Sequence, residues 1–262
     1  MIDFHTHCFP DKIAERALLS LKKTSADIHA HTDGTLSGLC ALEKACGVDR
    51  FVVQHIATNP KQMQAVNNFA ASIQSDTVFS FGSVHPDAPD ALEELERIRD
   101  LGLKGVKFHP EFQKFFVDDE KMIPLYKKIS ELNLPVLFHA GGDISYMPPY
   151  HCTPQRLLRI LDYLTVPVIA AHWGAYMYWE DVLHTLCGTD IYIDTSMGHG
   201  IMPLPLAEAI ARKHTPDKLL FASDAPWQSP KQSQKLVEAL GFSESEKEKI
   251  YETNAKKILN LS

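Results

Sequence analysis

Met1-Ile2-Asp3-Phe4-His5-Thr6-His7 opens the chain as a short apolar run ending in two histidines one residue apart. Side chains alternate along a strand, so a strand here turns His5 and His7 to the same side. Two neutral imidazoles converging at a strand end suit a divalent metal. The same kind of ending recurs downstream, at His139 in Leu134-Pro-Val-Leu-Phe-His139, at His172 in Val166-Pro-Val-Ile-Ala-Ala-His172, and at Asp224 in Lys218-Leu-Leu-Phe-Ala-Ser-Asp224. A lone histidine at a strand end is more often a hydrogen-bonded core group than a ligand. Chance pairs also occur, as at His29-Ala30-His31, which sits among Ser25, Asp27, Thr32, Asp33 and Gly34 and reads as loop. Four strand ends that agree carry more weight than any one of them.

Working outward, apolar runs of strand length occupy residues 2–7, 50–55, 78–85, 103–109, 134–140, 166–172, 190–196 and 218–224. Most are continuously apolar, as parallel strands covered on both faces require. Helical spacing fills the gaps: Met63, Val66, Phe69 and Ile73 fall on one face, as do Leu92, Leu95, Ile98 and Leu101, then Met122, Leu125, Ile129 and Leu132, then Leu157, Ile160, Leu161 and Leu164. Ser243 and Glu246 form a capping box ahead of a last helix that turns Ile250, Ile258 and Leu259 inward. Eight strand–helix units predict an α/β fold, a single (β/α)8 TIM barrel over residues 1–262, with an open doubly wound sheet as the lesser alternative. Residues 8–37 are longer than a strand–helix loop needs, and residues 141–153 carry Gly141-Gly142 and Pro148-Pro149; both are expected over the barrel mouth.

Composition narrows the function classes. The chain has 262 residues, enough for one such barrel, and 45% apolar residues, enough for a sizeable core. A net charge of −7 without a basic block argues against nucleic acid or an anionic membrane as partner and leaves a small-molecule substrate. No run approaches the length of a membrane span. Five cysteines without a C-x-x-C pair read as reduced thiols of a soluble, cytoplasmic protein, for which a homo-oligomer stays open.

Five quoted motifs together resemble the amidohydrolase superfamily of metal-dependent barrel enzymes: His5-Thr-His7, Gly105-Val-Lys-Phe-His109-Pro, His139-Ala-Gly141, His172-Trp-Gly174 and Ser223-Asp224-Ala-Pro226-Trp227. Within it the chain looks like the amidohydrolase-related branch that includes aminocarboxymuconate-semialdehyde decarboxylase and resorcylate decarboxylases. The resemblance covers nearly the whole chain and implies that His5, His7, His139 and Asp224 hold one divalent metal. Zinc is the expected ion, with manganese as the alternative. It makes His172 either the base that activates water or a ligand of a second metal. A bound cation lowers the pKa of water to roughly 7, and an imidazole or carboxylate then carries the proton. Asp224 and His172 are thus the expected catalytic groups.

Lys107 and His109 share a face of the fourth strand, two residues apart. Lys107 suits an anionic substrate as an ammonium, a metal bridge as a carbamate, or a structural pairing with Asp194 or Asp224; Glu111 is a weaker bridge. We expect Lys107, His109, Trp173, Ser196 and Trp227 to contact substrate. His55 and His85 read as structural, and His184 and His214 as surface residues. The leading expectation is a hydrolase acting on a small ester, amide or lactone, favoured by a short loop after strand seven that gives little cover to a bulky aromatic acid. The alternative is a nonoxidative decarboxylase on the same ligands. A non-catalytic metal-binding barrel is disfavoured by His172, which binding alone does not need. A phosphoesterase or nuclease is disfavoured by the acidic balance.

Overall fold

The structure, a computed structural model, describes residues 1–24 and 28–261; Ser25 and Asp27 lie outside the described residues. Its eight strands are β1 (Ile2–Thr6), β2 (Arg50–Gln54), β3 (Val78–Phe81), β4 (Val106–Phe108), β5 (Val136–Phe138), β6 (Val168–Ala170), β7 (Tyr192–Asp194) and β8 (Leu219–Leu220). Each pairs in parallel with its sequence neighbour, β1 through β3 and β4 through β8. Backbone bonds close both seams. Ser80 of β3 and Gly82 just past its end exchange bonds with residues 104–107, which lead into and begin β4, and Phe4 N–H donates to Phe221 O at 2.9 Å while Asp224 N–H donates to His5 O at 2.7 Å. The result is the closed parallel barrel expected from the eight apolar runs.

Why these runs make a barrel is visible in their two faces. Phe51, Val53, Val136, Phe138, Val168 and Ala170 pack outward with helix residues such as Leu95, Ile98, Leu125 and Ile129. The alternate positions Ile2, Phe4, Val52, Phe81, Leu137, Ile169, Tyr192 and Leu220 form a separate inner cluster, joined by Ala255, Ile258 and Leu259 from the last helix. Burial on both faces makes continuously apolar strands the stable solution. The Ser243–Glu246 capping box forms as expected. Leu92 is 40% exposed, at the edge of its helix face. One expectation fails: His214 is 0% exposed, with its imidazole Nε2–H donating to Ile191 O at 3.0 Å. Among the described residues, no helix is long and apolar enough to cross a membrane.

The two long connections meet the barrel mouth. Residues 8–37 contain the helix Asp11–Thr24, and His31 N–H donates to Pro226 O at 2.8 Å, which holds this segment beside the end of β8. The segment 141–153 is anchored at its root, where Gly141 N–H donates to Cys152 O and Gly142 N–H to Tyr176 O, both at 2.8 Å. Gly141 has φ +86°, and a Cβ there would stand 2.3 Å from Tyr176 N and 2.4 Å from Tyr176 O. Gly141→Ala is therefore expected to cost about 2–4 kcal/mol, left-handed backbone strain and overpacking together. The denaturant midpoint measures it, and an unmoved midpoint would mean that the root does not need glycine.

Candidate metal centre

Strict alternation from Phe4 would send His5 outward with Asp3. Instead β1 spends three residues, Asp3 to Thr6, where β2 spends two, Phe51 to Val53. This bulge re-aims the strand end. Asp3 stabilises it by accepting from His5 N–H and Ser223 N–H, each at 3.1 Å. His5 consequently enters the barrel, where it meets Lys107 and Asp194.

The rings of His5 and His7 then converge, with their Nε2 atoms 3.2 Å apart. Asp224 Oδ1 lies 3.4 Å from His5 Nε2 and 3.0 Å from His7 Nε2. His172 joins from β6, its ring stacked on His5 with centroids 5.2 Å apart. His139 joins from β5, its Nδ1 3.0 Å from His172 Nε2. His172, Trp173 and Asp224 have φ of +61°, +59° and +69°, left-handed values that non-glycine residues adopt when their surroundings enforce them.

Hydrogen-bond accounting shows what this cluster lacks. His5 Nδ1–H donates to Asp194 Oδ2 at 2.8 Å, and His7 Nδ1–H donates to the Gln54 carbonyl at 2.8 Å. His139 Nε2–H donates to the Gly142 carbonyl at 3.1 Å. Ser196 Oγ–H donates to Asp194 Oδ1, so His172 Nδ1–H donates to Ser196 Oγ, at 2.8 Å. Every imidazole has thus committed one nitrogen as donor. The other nitrogens of His5 and His7 face each other and Asp224 Oδ1, and those of His172 and His139 face each other at 3.0 Å; all five are lone pairs. Lys107 Nζ, 3.2 Å from His5 Nε2, supplies a hydrogen to one of the five. The remainder is what a cation satisfies. Donors about 2.0–2.2 Å from a tetrahedral metal stand about 3.3–3.6 Å apart, near the 3.0–3.4 Å found among His5, His7 and Asp224.

Electrostatics agree with neutral, metal-ready imidazoles. Burial, reinforced by Lys107, holds His5 well below the usual histidine range, and burial with His139 does the same for His172. Burial brings His139 down to about 4 and His109 down to about 3. Burial lowers Lys107 to about 8 against the pull of Asp224 and Asp194, which leaves it an ammonium at neutral pH. Burial raises Asp224.

A second set, His109, His139 and Asp143, also gathers within 4.8 Å. Its rings are stacked, with His109 and His139 centroids 4.0 Å apart and planes 12° apart. Their lone pairs lie in nearly parallel planes, a poor match to a single tetrahedral ion, and His139 Nε2–H is already committed to the Gly142 carbonyl. His109 Nε2–H instead donates to Asp143 Oδ2 at 3.4 Å. Burial alone would raise Asp143, but this bond and the two imidazoles outweigh it and hold the carboxyl well below its usual range.

The expected contact residues divide. Lys107 and His109 sit in the cluster or against it, and Trp227 is half-buried three residues beyond Asp224. Ser196 is fully buried and serves His172 and Asp194. Trp173 is fully buried, with its indole N–H donating to Thr195 O at 2.9 Å and its edge against Gly198, so no face is left for substrate. The left-handed turn through Trp173 and Gly174 sends the side chain down beside the barrel wall. Lys107 makes no ion pair within 4.0 Å of Asp194 or Asp224, and Glu111 accepts from His151 N–H at 2.7 Å, at the base of the 141–153 segment. Asp194 and Asp143 are the groups that sequence reasoning left out of the site.

A family model described as amidohydrolase matches residues 2–261. The chain is 24% identical to a 2-keto-4-carboxy-3-hexenedioate hydratase from Sphingobium sp., over 74% of this chain and 70% of that one. A TIM-barrel protein from Bordetella bronchiseptica superposes with TM-score 0.77 at 19% identity, over 99% of this chain and 98% of that one. The 5-carboxyvanillate decarboxylase from Sphingomonas paucimobilis superposes with TM-score 0.74 at 14% identity, over 100% of this chain and 99% of that one.

Proposed function

The chain belongs to the amidohydrolase family, and from that premise we propose that it is a metal-dependent hydrolase that adds water to an ester, amide or lactone bond of a small molecule. The observation that carries the proposal is the convergence of lone pairs from His5, His7 and Asp224, with the facing lone pairs of His172 and His139 beside them, on rings whose other nitrogens are already committed as donors. His5, His7, His139 and Asp224 would hold the metal. A nitrogen-rich set without thiolate suits zinc, with manganese as the alternative. When bound, such an ion polarises a carbonyl and brings the pKa of water toward about 7.

The chain's own groups then have distinct tasks. His172 Nε2 takes the proton from the attacking water, and its Nδ1–H stays bonded to Ser196, which keeps the ring oriented. The second oxygen of Asp224 takes the remaining proton of that water, left on the hydroxyl of the adduct, and passes it to the leaving group. Lys107 attracts an anionic part of the substrate, and His109 and Trp227 border it. Five free thiols fit a reducing, cytoplasmic setting.

One observation favours a second reading. A buried ammonium 3.2 Å from His5 Nε2 is well placed to hold a carboxylate that is about to leave, which supports a nonoxidative decarboxylase. The decarboxylase neighbour and the hydratase relative keep both chemistries within reach of this fold. Turnover of a library of small esters, amides, lactones and carboxylic acids in 18O-labelled water separates the two. The hydrolase reading expects label in the product without carbon dioxide; carbon dioxide without label establishes the lyase.

A further inference from the structure

Asp194 closes β7 fully buried, and both of its oxygens are engaged. Oδ2 accepts from His5 Nδ1–H at 2.8 Å. Oδ1 accepts from His172 N–H at 2.8 Å, from Ser196 N–H at 3.1 Å and from Ser196 Oγ–H. The hydroxyl it fixes is in turn the acceptor for His172 Nδ1–H at 2.8 Å. One carboxylate therefore decides which nitrogen carries the proton on two different rings, one directly and one through a serine.

We propose that Asp194 is a positioning residue that sets the tautomers of both His5 and His172, and so couples the holding of the metal to proton transfer. The inference rests on the reading that His5 is a ligand and His172 the base. A carboxylate behind a ligating histidine fixes ring orientation and tautomer, and its loss typically costs about 10–100-fold in metal affinity. Asparagine at this position offers one oxygen. The three donors on the His172 and Ser196 side would claim it, and the amide NH2 would face His5 Nδ1. His5 would then carry its proton on Nε2, the atom that must be a lone pair to bind a metal. Removing the Ser196 hydroxyl disturbs only the other branch.

The test compares Asp194→Asn and Ser196→Ala with the parent protein. Zinc affinity is read by chelator competition, and the histidine tautomers by 15N NMR of the metal-free proteins. Asp194→Asn should bind zinc about 10–100-fold more weakly, with His5 shifted to the Nε2–H form. Ser196→Ala should keep zinc affinity within about threefold, an allowance for indirect effects through Asp194, and shift only His172. A folded Asp194→Asn with parental affinity or an unshifted His5 overturns the proposal. If that variant does not fold, an unshifted His172 in Ser196→Ala overturns it alone. His5→Ala, run in parallel, separates the two levels. Zinc retained there overturns the metal reading itself; zinc lost there but kept in Asp194→Asn overturns only the role of Asp194.

Discussion

His5→Ala is expected to abolish tight metal binding and, with it, turnover. The imidazole supplies one of the converging donors, and its Nε2 lies within 3.4 Å of both His7 Nε2 and Asp224 Oδ1. Alanine leaves the other lone pairs in place, but with a gap that water must fill. Losing one protein ligand of four, together with the Asp194 bond that orients it, should weaken affinity by at least the roughly 100-fold seen for loss of a supporting partner. Elemental analysis after dialysis reads the effect, and a circular dichroism melt shows whether the barrel survives. Full metal occupancy in a folded His5→Ala protein would mean that the ion sits elsewhere.

The second large effect is kinetic. His172→Asn should keep the metal and lose at least about 100-fold in turnover, the usual scale for a lost acid–base group. The proposed task of His172 depends on one free nitrogen beside the cluster, and its Nδ1 is already committed to Ser196. Asparagine preserves polarity and approximate reach but cannot take up a proton near neutral pH. If metal and activity fall together, His172 is a ligand and the site holds two ions.

How much of this was legible in the sequence follows from where the information lies. Continuous apolar runs ending in His or Asp reveal a parallel barrel and its catalytic rim, because strand ends are where a polar side chain leaves the core. The bulge in β1 is not visible as a pattern, although the Asp3-x-His5 spacing that stabilises it is. Asp194 could have been found by the reasoning that found Asp224: both are carboxylates closing an apolar strand of the same ring. Asp143 follows two glycines in a loop, and only the three-dimensional path brings it onto His109. The direction of Trp173 depends on a left-handed backbone at a non-glycine residue, which composition does not signal. His214 was misread where the pattern spoke plainly, since Ala207, Ile210 and Ala211 precede it on the buried helix face.

The most direct test is an anomalous-diffraction measurement at the zinc absorption edge on crystals of the metal-loaded protein. A single peak bounded by His5, His7, His139 and Asp224, with imidazole nitrogens about 2.0–2.1 Å away, is the predicted result. A peak confined to His109 and Asp143, or none at full zinc saturation, would contradict the account.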